Sequence, residues 1–323
     1  MVGTGLMLEL IGRDFARTEN VDMRVIVSRT QERADAAAAE YGFPEGAADF
    51  YAVLRRDDID VVYIATPHTL HFPQAMAALE AGKHVLVEKA MTTSAARTRE
   101  LCAFAEAQGL FAMEAMWTAF NPAIVELRRR IAEGQIGDVQ LLQANFCTAP
   151  AYRADWRLWA KELAGGSTLD QGVYTLSLAH MLLGKPASIA AHGTVMHDVD
   201  AEVVATLEYA SGQRAVCMNG LRAYSPLTAF VAGTAGTIEI PGQFWNPAGF
   251  THVSYQGSVA VAAATKSEFS YQREGAGYVP MLRAVSQAIL EGRTEHPLRT
   301  HADSIAVAES MDTVLQQVLG PQR

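Results

Sequence analysis

The feature that most limits the folds open to this chain is an alternation in its first third. Short β-branched runs, "MRVIVS", "VVYIAT", "HVLVE" and "LFAME", are separated by stretches of helical period such as "QERADAAAAEYG" and "LHFPQAMAALEAGK". A run that is apolar at nearly every position suits a strand covered on both faces, and strands alternating with helices are joined by crossovers of a parallel sheet. Residues 1–118 are therefore expected to form a doubly wound α/β domain. Gly42 and Gly82 stand where helices should stop, each just before the approach to another strand.

The pattern changes after Asn121-Pro122. A helix ("AIVELRRRIAEG") leads into an extended run ("DVQLLQANFCTA"), a loop rich in Trp and Arg, and a helix from about Thr168 to Leu183. Strands then follow one another directly: "ASIAAHGTVM", "EVVATLEYA", "QRAVCMNGL", "TAFVAGT" and "GTIEIP", with "ASGQ" as a hairpin turn. Strands in immediate succession favour an antiparallel sheet, so residues 119–323 are read as an α+β domain, closed by helices near 277–291 and 301–318.

At 323 residues with half of them apolar, the chain is large enough for two cores. A formal net charge of −9 argues against a nucleic-acid partner, since such binding draws most of its free energy from Lys and Arg neutralising phosphates. Cys102, Cys147 and Cys217 leave one cysteine over in any disulfide scheme, which fits a reducing compartment. No apolar run reaches the length of a membrane span, and the opening segment carries Glu9 where a leader would be apolar. A cytoplasmic protein with no membrane or nucleic-acid partner is expected.

Several residues could carry chemistry. Gly3 and Gly5 in "GTG" resemble the start of a phosphate loop at a helix N-terminus, although the strand that should precede it is reduced to Met1 and Val2. After "RVIV" come Ser28 and Arg29, with Arg33 a turn further on and no acid to take a ribose 2′-hydroxyl, a combination suited to the 2′-phosphate of NADP. Thr66, Pro67, His68 and His71 follow the carboxyl end of "VVYIA", the end at which open α/β sheets bind ligands. The spacing of the two histidines could serve a metal, but no third ligand is evident, so cofactor packing and helix capping are preferred and no metal is expected. Lys89 follows the next strand on the same edge, where a lysine can hold a substrate hydroxyl and exchange a proton. In "GGSTLDQGVY", Gly165-Gly166 precede a helix on which Asp170 and Tyr174 are four apart, and so on one face.

Together, "GTG", "VSRTQERA", "DIDVVYIATPHTLH", "ALEAGKHVLVEKA", "MEAMWTAFNPA", "EGQIGDV", "GGSTLDQGVY", "GTAGTIEI" and "FWNP" resemble the glucose-fructose oxidoreductase and inositol dehydrogenase superfamily, in particular its branch of dimeric dihydrodiol dehydrogenases and NADP-dependent D-xylose dehydrogenases. The resemblance implies a Rossmann-type domain followed by a domain with a large open sheet that often forms a homodimer interface. It implies hydride transfer between NADP and a sugar-like or diol carbon, with Lys89 and Tyr174 on the positions of the family's catalytic residues. Leu6 and Glu88 fall among the expected cofactor contacts, and Trp117, Phe146 and Trp245 in the aromatic lining of the substrate pocket. Three positions depart from the family pattern: the first strand is nearly absent, "EKP" is "EKA" with Ala90, and the arginine of "MWTRF" is Ala119. An upstream start to the chain would account for the first of these.

The resulting expectation is an NADP-dependent oxidoreductase acting on a secondary hydroxyl or carbonyl of a sugar, polyol or cyclic diol. Tyr174 would be the general acid/base, Lys89 would orient the substrate, and Asp170 would bind substrate or hold Tyr174. The alternative is an NADP-binding paralogue with weak or lost catalysis.

Overall fold

The computed structural model describes residues 1–256 and 263–320, and the chain divides into two compact units. The first gathers Met1–Phe120 with Arg273–Ile305, and the second Asn121–Gln272 with Ala306–Arg323.

In the first unit the elements run α1 (Leu6–Phe15), β1 (Val25–Val27), α2 (Gln31–Tyr41), β2 (Glu45–Ala47), α3 (Phe50–Leu54), β3 (Val61–Ile64), α4 (His68–Glu80), β4 (His84–Val87), α5 (Ala95–Gln108) and β5 (Ala112–Glu114). Strands β1 and β2 are parallel, as are β3, β4 and β5. Every residue of β1, β4's Val85–Val87 and β3's Val62–Ile64 is buried, as continuous apolar strands between helical layers require. The helices start where their caps dictate: the side chains of Thr30, Asp49 and Ser94 accept from backbone N–H groups of the first turns of α2, α3 and α5. Gly42 ends α2 in the left-handed conformation.

The opening residues are not a loose start. Val2 bridges in parallel to both Val27 and Ile64. Its N–H donates to Tyr63 O at 2.8 Å, its C=O accepts from Ala65 N at 2.9 Å, and Gly3 N–H donates to Val27 O at 2.9 Å. The first strand is thus a single residue held on both sides at the centre of the sheet. The phosphate-loop condition that failed on the sequence, a preceding strand, is met by backbone bonding that a two-residue apolar run could not reveal.

The sequence reading of 119–323 as one continuous domain needs correcting, because 273–305 pack with the first unit. Asp14, buried in α1, accepts from the N–H groups of Ala276 and Tyr278 at 3.0 Å. Ala112 N–H donates to Thr294 O at 3.0 Å, and Arg299 pairs with Glu114 in the interior. These partners lie 180 residues or more apart, so local periodicity carries no trace of them.

The second unit holds α6 (Pro122–Ala132), β6 (Val139–Cys147), α7 (Val173–Leu183), β7 (Ser188–Met196), β8 (Val199–Glu208), β9 (Arg214–Gly220), β10 (Ala229–Gly233), β11 (Gly236–Ile240), β12 (Gly249–Gln256) and β13 (Ala263–Ser270). They form one eight-stranded sheet in the order β13-β12-β11-β10-β6-β9-β8-β7. Every neighbouring pair is antiparallel except β6 and β9. Helix α7, buried along Val173–Ala179, packs on β6 and β9. The sequence reading did not anticipate β12 and β13. The buried residues of β12, Phe250 and Val253, are three apart and so break the period of two.

Among the described residues no helix is long and apolar enough to cross a membrane, and no cluster of three metal-ligating side chains occurs. The three cysteines are buried and free.

Candidate active site

The first unit presents a loop, Gly3 to Gly5, that opens directly into α1. Gly3 has a φ of +110°, and a Cβ there would meet Ala65 O at 2.5 Å, so only glycine fits. Gly5 caps α1 with no side-chain hydrogen bond, and nothing lies within 4 Å of where its Cβ would be. The helix start is therefore open, with its first N–H groups uncapped by a side chain and Leu6 exposed beside them, the arrangement that suits a phosphate oxygen. Thr4 Oγ1 lies 2.8 Å from Ser28 Oγ, which ties this loop to the end of β1. Arg29 and Arg33 are exposed just beyond, while the cap of α2 is Thr30 rather than Ser28.

Thr66 and Pro67 follow β3 at the same edge. Thr66 Oγ1 donates to Gln74 Oε1 at 2.7 Å, and Pro67 stands at the N-cap of α4. The histidines face inward. His68 Nε2 is 3.1 Å from Lys89 O, and His71 has Ala90 O at 2.9 Å from Nδ1 and Thr66 O at 2.8 Å from Nε2. Burial draws His71 below the usual histidine range against the pull of these two carbonyls, and a neutral ring can donate from only one nitrogen at a time. Both histidines therefore serve the backbone of the loop that carries Lys89.

That loop leaves β4 at Glu88. Glu88 is buried, accepts from the Tyr63 hydroxyl, and accepts from Lys89 N–H at 3.2 Å. Burial pushes its carboxyl up to about 7, opposed by Tyr63 and by the charge of Lys89. Lys89 is half-buried, and the Lys89–Ala90 peptide is cis. Trp117 lies in a short 3-10 turn and stacks on Tyr278, with centroids 4.1 Å apart.

In the second unit Tyr174 is buried at the start of α7, within an aromatic group. The rings of Phe146 and Trp245 are parallel and 3.8 Å apart, and the Tyr174 ring lies 5.7 Å from the first and 6.0 Å from the second. Asp170 accepts from Arg157 Nη1 at 2.8 Å. Between Asp170 and Tyr174 the helix changes type, because Thr168–Gly172 form a π-helical turn before α7 begins. The double glycine also serves packing. A Cβ on Gly165 would meet Arg157 O at 2.8 Å, and one on Gly166 would strike the Asp200 carboxylate, which itself accepts from Thr168 N–H at 2.7 Å. The close approach read from the sequence is therefore protein against protein. Sequence reasoning passed over Arg157, Tyr278, Glu114 and Arg299. For Arg157 the available signal was its place in "WRLW", within the loop rich in Trp and Arg.

A parallel sheet whose central strand feeds a glycine loop and an open helix start, joined in one chain to a large open sheet, defines a two-domain nucleotide-dependent oxidoreductase. The chain belongs to the GFO/IDH/MocA oxidoreductases. Residues 1–116 match the oxidoreductase family with an NAD-binding Rossmann fold, and residues 124–239 match the GFO/IDH/MocA C-terminal domain. It is an NAD(P)-dependent dehydrogenase or reductase. Among its relatives is a trans-1,2-dihydrobenzene-1,2-diol dehydrogenase of Xenopus tropicalis, 32% identical over 91% of this chain and 88% of that protein. Another is the scyllo-inositol 2-dehydrogenase (NADP(+)) IolU of Bacillus subtilis, 34% identical over 74% of each chain. A similar solved structure is KijD10, a 3-ketoreductase from Actinomadura kijaniata in complex with NADP and TDP-benzene. Its TM-score is 0.87 at 26% identity, covering 98% of this chain and 96% of that one.

Proposed function

We propose that this enzyme transfers a hydride between NADP and a secondary hydroxyl or carbonyl of a sugar, polyol or cyclic diol. The observation that carries the reading is the edge of the first sheet. The glycine-only turn at Gly3, the open start of α1, Ser28 and Arg29 after β1, and Lys89 after β4 all follow carboxyl ends of parallel strands. The names of the relatives, which act on a diol, an inositol or a keto group, support the substrate class.

Gly3, Gly5 and Leu6 hold the pyrophosphate in this reading, and Ser28, Arg29 and Arg33 take the 2′-phosphate. Thr66 and Pro67 border the nicotinamide, with His71 and Glu88 acting through the backbone they support. NADP when bound supplies or accepts the hydride. The proton that must accompany it is handled by Tyr174 as general acid/base, with Lys89 orienting the substrate oxygen and Asp170, braced by Arg157, binding a neighbouring hydroxyl. Trp117, Phe146 and Trp245 supply apolar surface to the substrate ring. A homodimer through the eight-stranded sheet is part of the proposal. Val195 and Met196 of β7, Val204 of β8 and Tyr255 of β12 are exposed, and a cavity of about 500 Å³ is lined by Phe230, Ile240, Thr251 and Tyr255. Absorbance at the nicotinamide band with NADP and a panel of inositols, aldoses and cyclic diols tests the activity. Cofactor binding without turnover on any of these classes would favour a binding paralogue instead.

A further inference from the structure

We infer that Glu114, gripped by Arg299, is a positioning residue for Lys89, an inference that rests on the role proposed above for that lysine. Glu114 ends β5, in register with Val87 of β4. Its carboxylate divides its two oxygens. Oε2 accepts from Arg299 Nε at 3.1 Å and from Nη2, whereas Oε1 accepts from Met91 N–H at 2.9 Å. Both side chains are buried, Arg299 at 1% exposure and Glu114 at 2%.

A buried ion pair is a weak source of stability, since well-packed apolar residues in its place are often neutral or better. This pair is also incompletely matched, because Arg299 Nη1 is buried with no hydrogen-bond partner among the described residues. What the pair does achieve is local. Three successive residues, Lys89 to Met91, each have a backbone group held by a side chain rather than by a ladder: Lys89 O by His68, Ala90 O by His71 and Met91 N–H by Glu114. Two of these grips come from α4, and Glu114 supplies the third from β5, its own rotamer fixed by an arginine 185 residues away. Without it, Met91 N–H is left buried and unmet, and the loop must move to recover a partner.

The test compares two double variants. Glu114→Met with Arg299→Met removes the ion pair and the Met91 acceptor, whereas Glu114→Gln with Arg299→Met keeps an amide oxygen for Met91 N–H and leaves no unpaired charge. The first should fold and bind NADPH with affinity near that of the unaltered chain, with KM little changed. Its kcat should fall about 10- to 100-fold, as expected when a reacting group is misplaced by about an ångström. The Gln/Met chain should keep most of its kcat. Reductive methylation followed by mass spectrometry gives a readout independent of turnover: labelling of Lys89, relative to Lys83 and Lys185, should shift in Met/Met and not in Gln/Met. Unaltered kcat and unaltered Lys89 labelling in a folded Met/Met chain would overturn the inference. If the unaltered chain turns over no sugar, polyol or diol, the substrate reading fails while the labelling still decides the positioning role. Should Met/Met not fold, Arg299→Lys keeps the charge and loses the forked grip. A lowered kcat with shifted Lys89 labelling is then expected, and unaltered values of both overturn the inference.

Discussion

Replacing Glu88 with glutamine should change how the stability of the first unit depends on pH. The Glu88 carboxyl is buried, and burial raises it from 4.5 to about 7. An acid whose folded pKa stands above its unfolded one binds its proton more tightly in the folded state. Its contribution is therefore present in full below the unfolded value and is lost as pH rises through the folded value, here between about 4.5 and about 7. At roughly 1.4 kcal/mol per pH unit, the span amounts to about 3 kcal/mol. Glutamine mimics the protonated acid. Its amide oxygen can take Lys89 N–H while its NH2 donates to the Tyr63 oxygen, so both contacts of Glu88 survive. Thermal unfolding of both chains at pH 5, 6, 7 and 8, followed by calorimetry, isolates the effect, because every other group titrates in both. Among those others is the buried amino group of Met1, which burial lowers to about 5 and which acts in the opposite sense. Relative to Glu88→Gln, the unaltered chain should lose about 2.5 kcal/mol between pH 5 and 8, the part of the span that lies in this range, or several degrees in Tm. A difference between the two chains that stays constant over this range would show that Glu88 does not retain its proton, and would refute the reasoning.

Arg29→Ala should weaken NADPH binding much more than NADH binding, measured by cofactor fluorescence, and equal losses would remove Arg29 from the 2′-phosphate site. Lys89→Met and Tyr174→Phe should each keep fold and cofactor affinity while lowering turnover about 100- to 10,000-fold, and the double variant should be little worse than either. Full activity in both single variants would leave the proton step with other residues. Light scattering at micromolar concentration should return twice the chain mass, and a monomer would contradict an interface on the eight-stranded sheet.

How much of this was legible in the sequence depended on the distance over which each signal acts. Strands β1, β3, β4 and β5 are continuous apolar runs and α2 and α5 carry their own caps, so the first sheet could be read locally. The hairpin turn of "ASGQ" likewise places β8 beside β9, and Tyr209 N–H does donate to Gln213 O at 3.1 Å. Lys89 and Thr66 could be assigned to one edge because both follow parallel strands, which fixes direction without any knowledge of contacts. What escaped was set by partners remote in the chain or by departures from regular geometry. Val2 is a strand only because Val27 and Ile64 flank it. The π turn at Thr168–Gly172 is a departure from α-helical geometry that the letters do not mark. His71 looked like a cofactor contact from its place after β3, yet both its nitrogens meet backbone carbonyls, one of them on the Lys89 loop. The residues that present chemistry thus announce themselves by position along a strand. Those that hold them, His68, His71, Glu114 and Arg299, become visible only when the fold has brought them to the backbone they support.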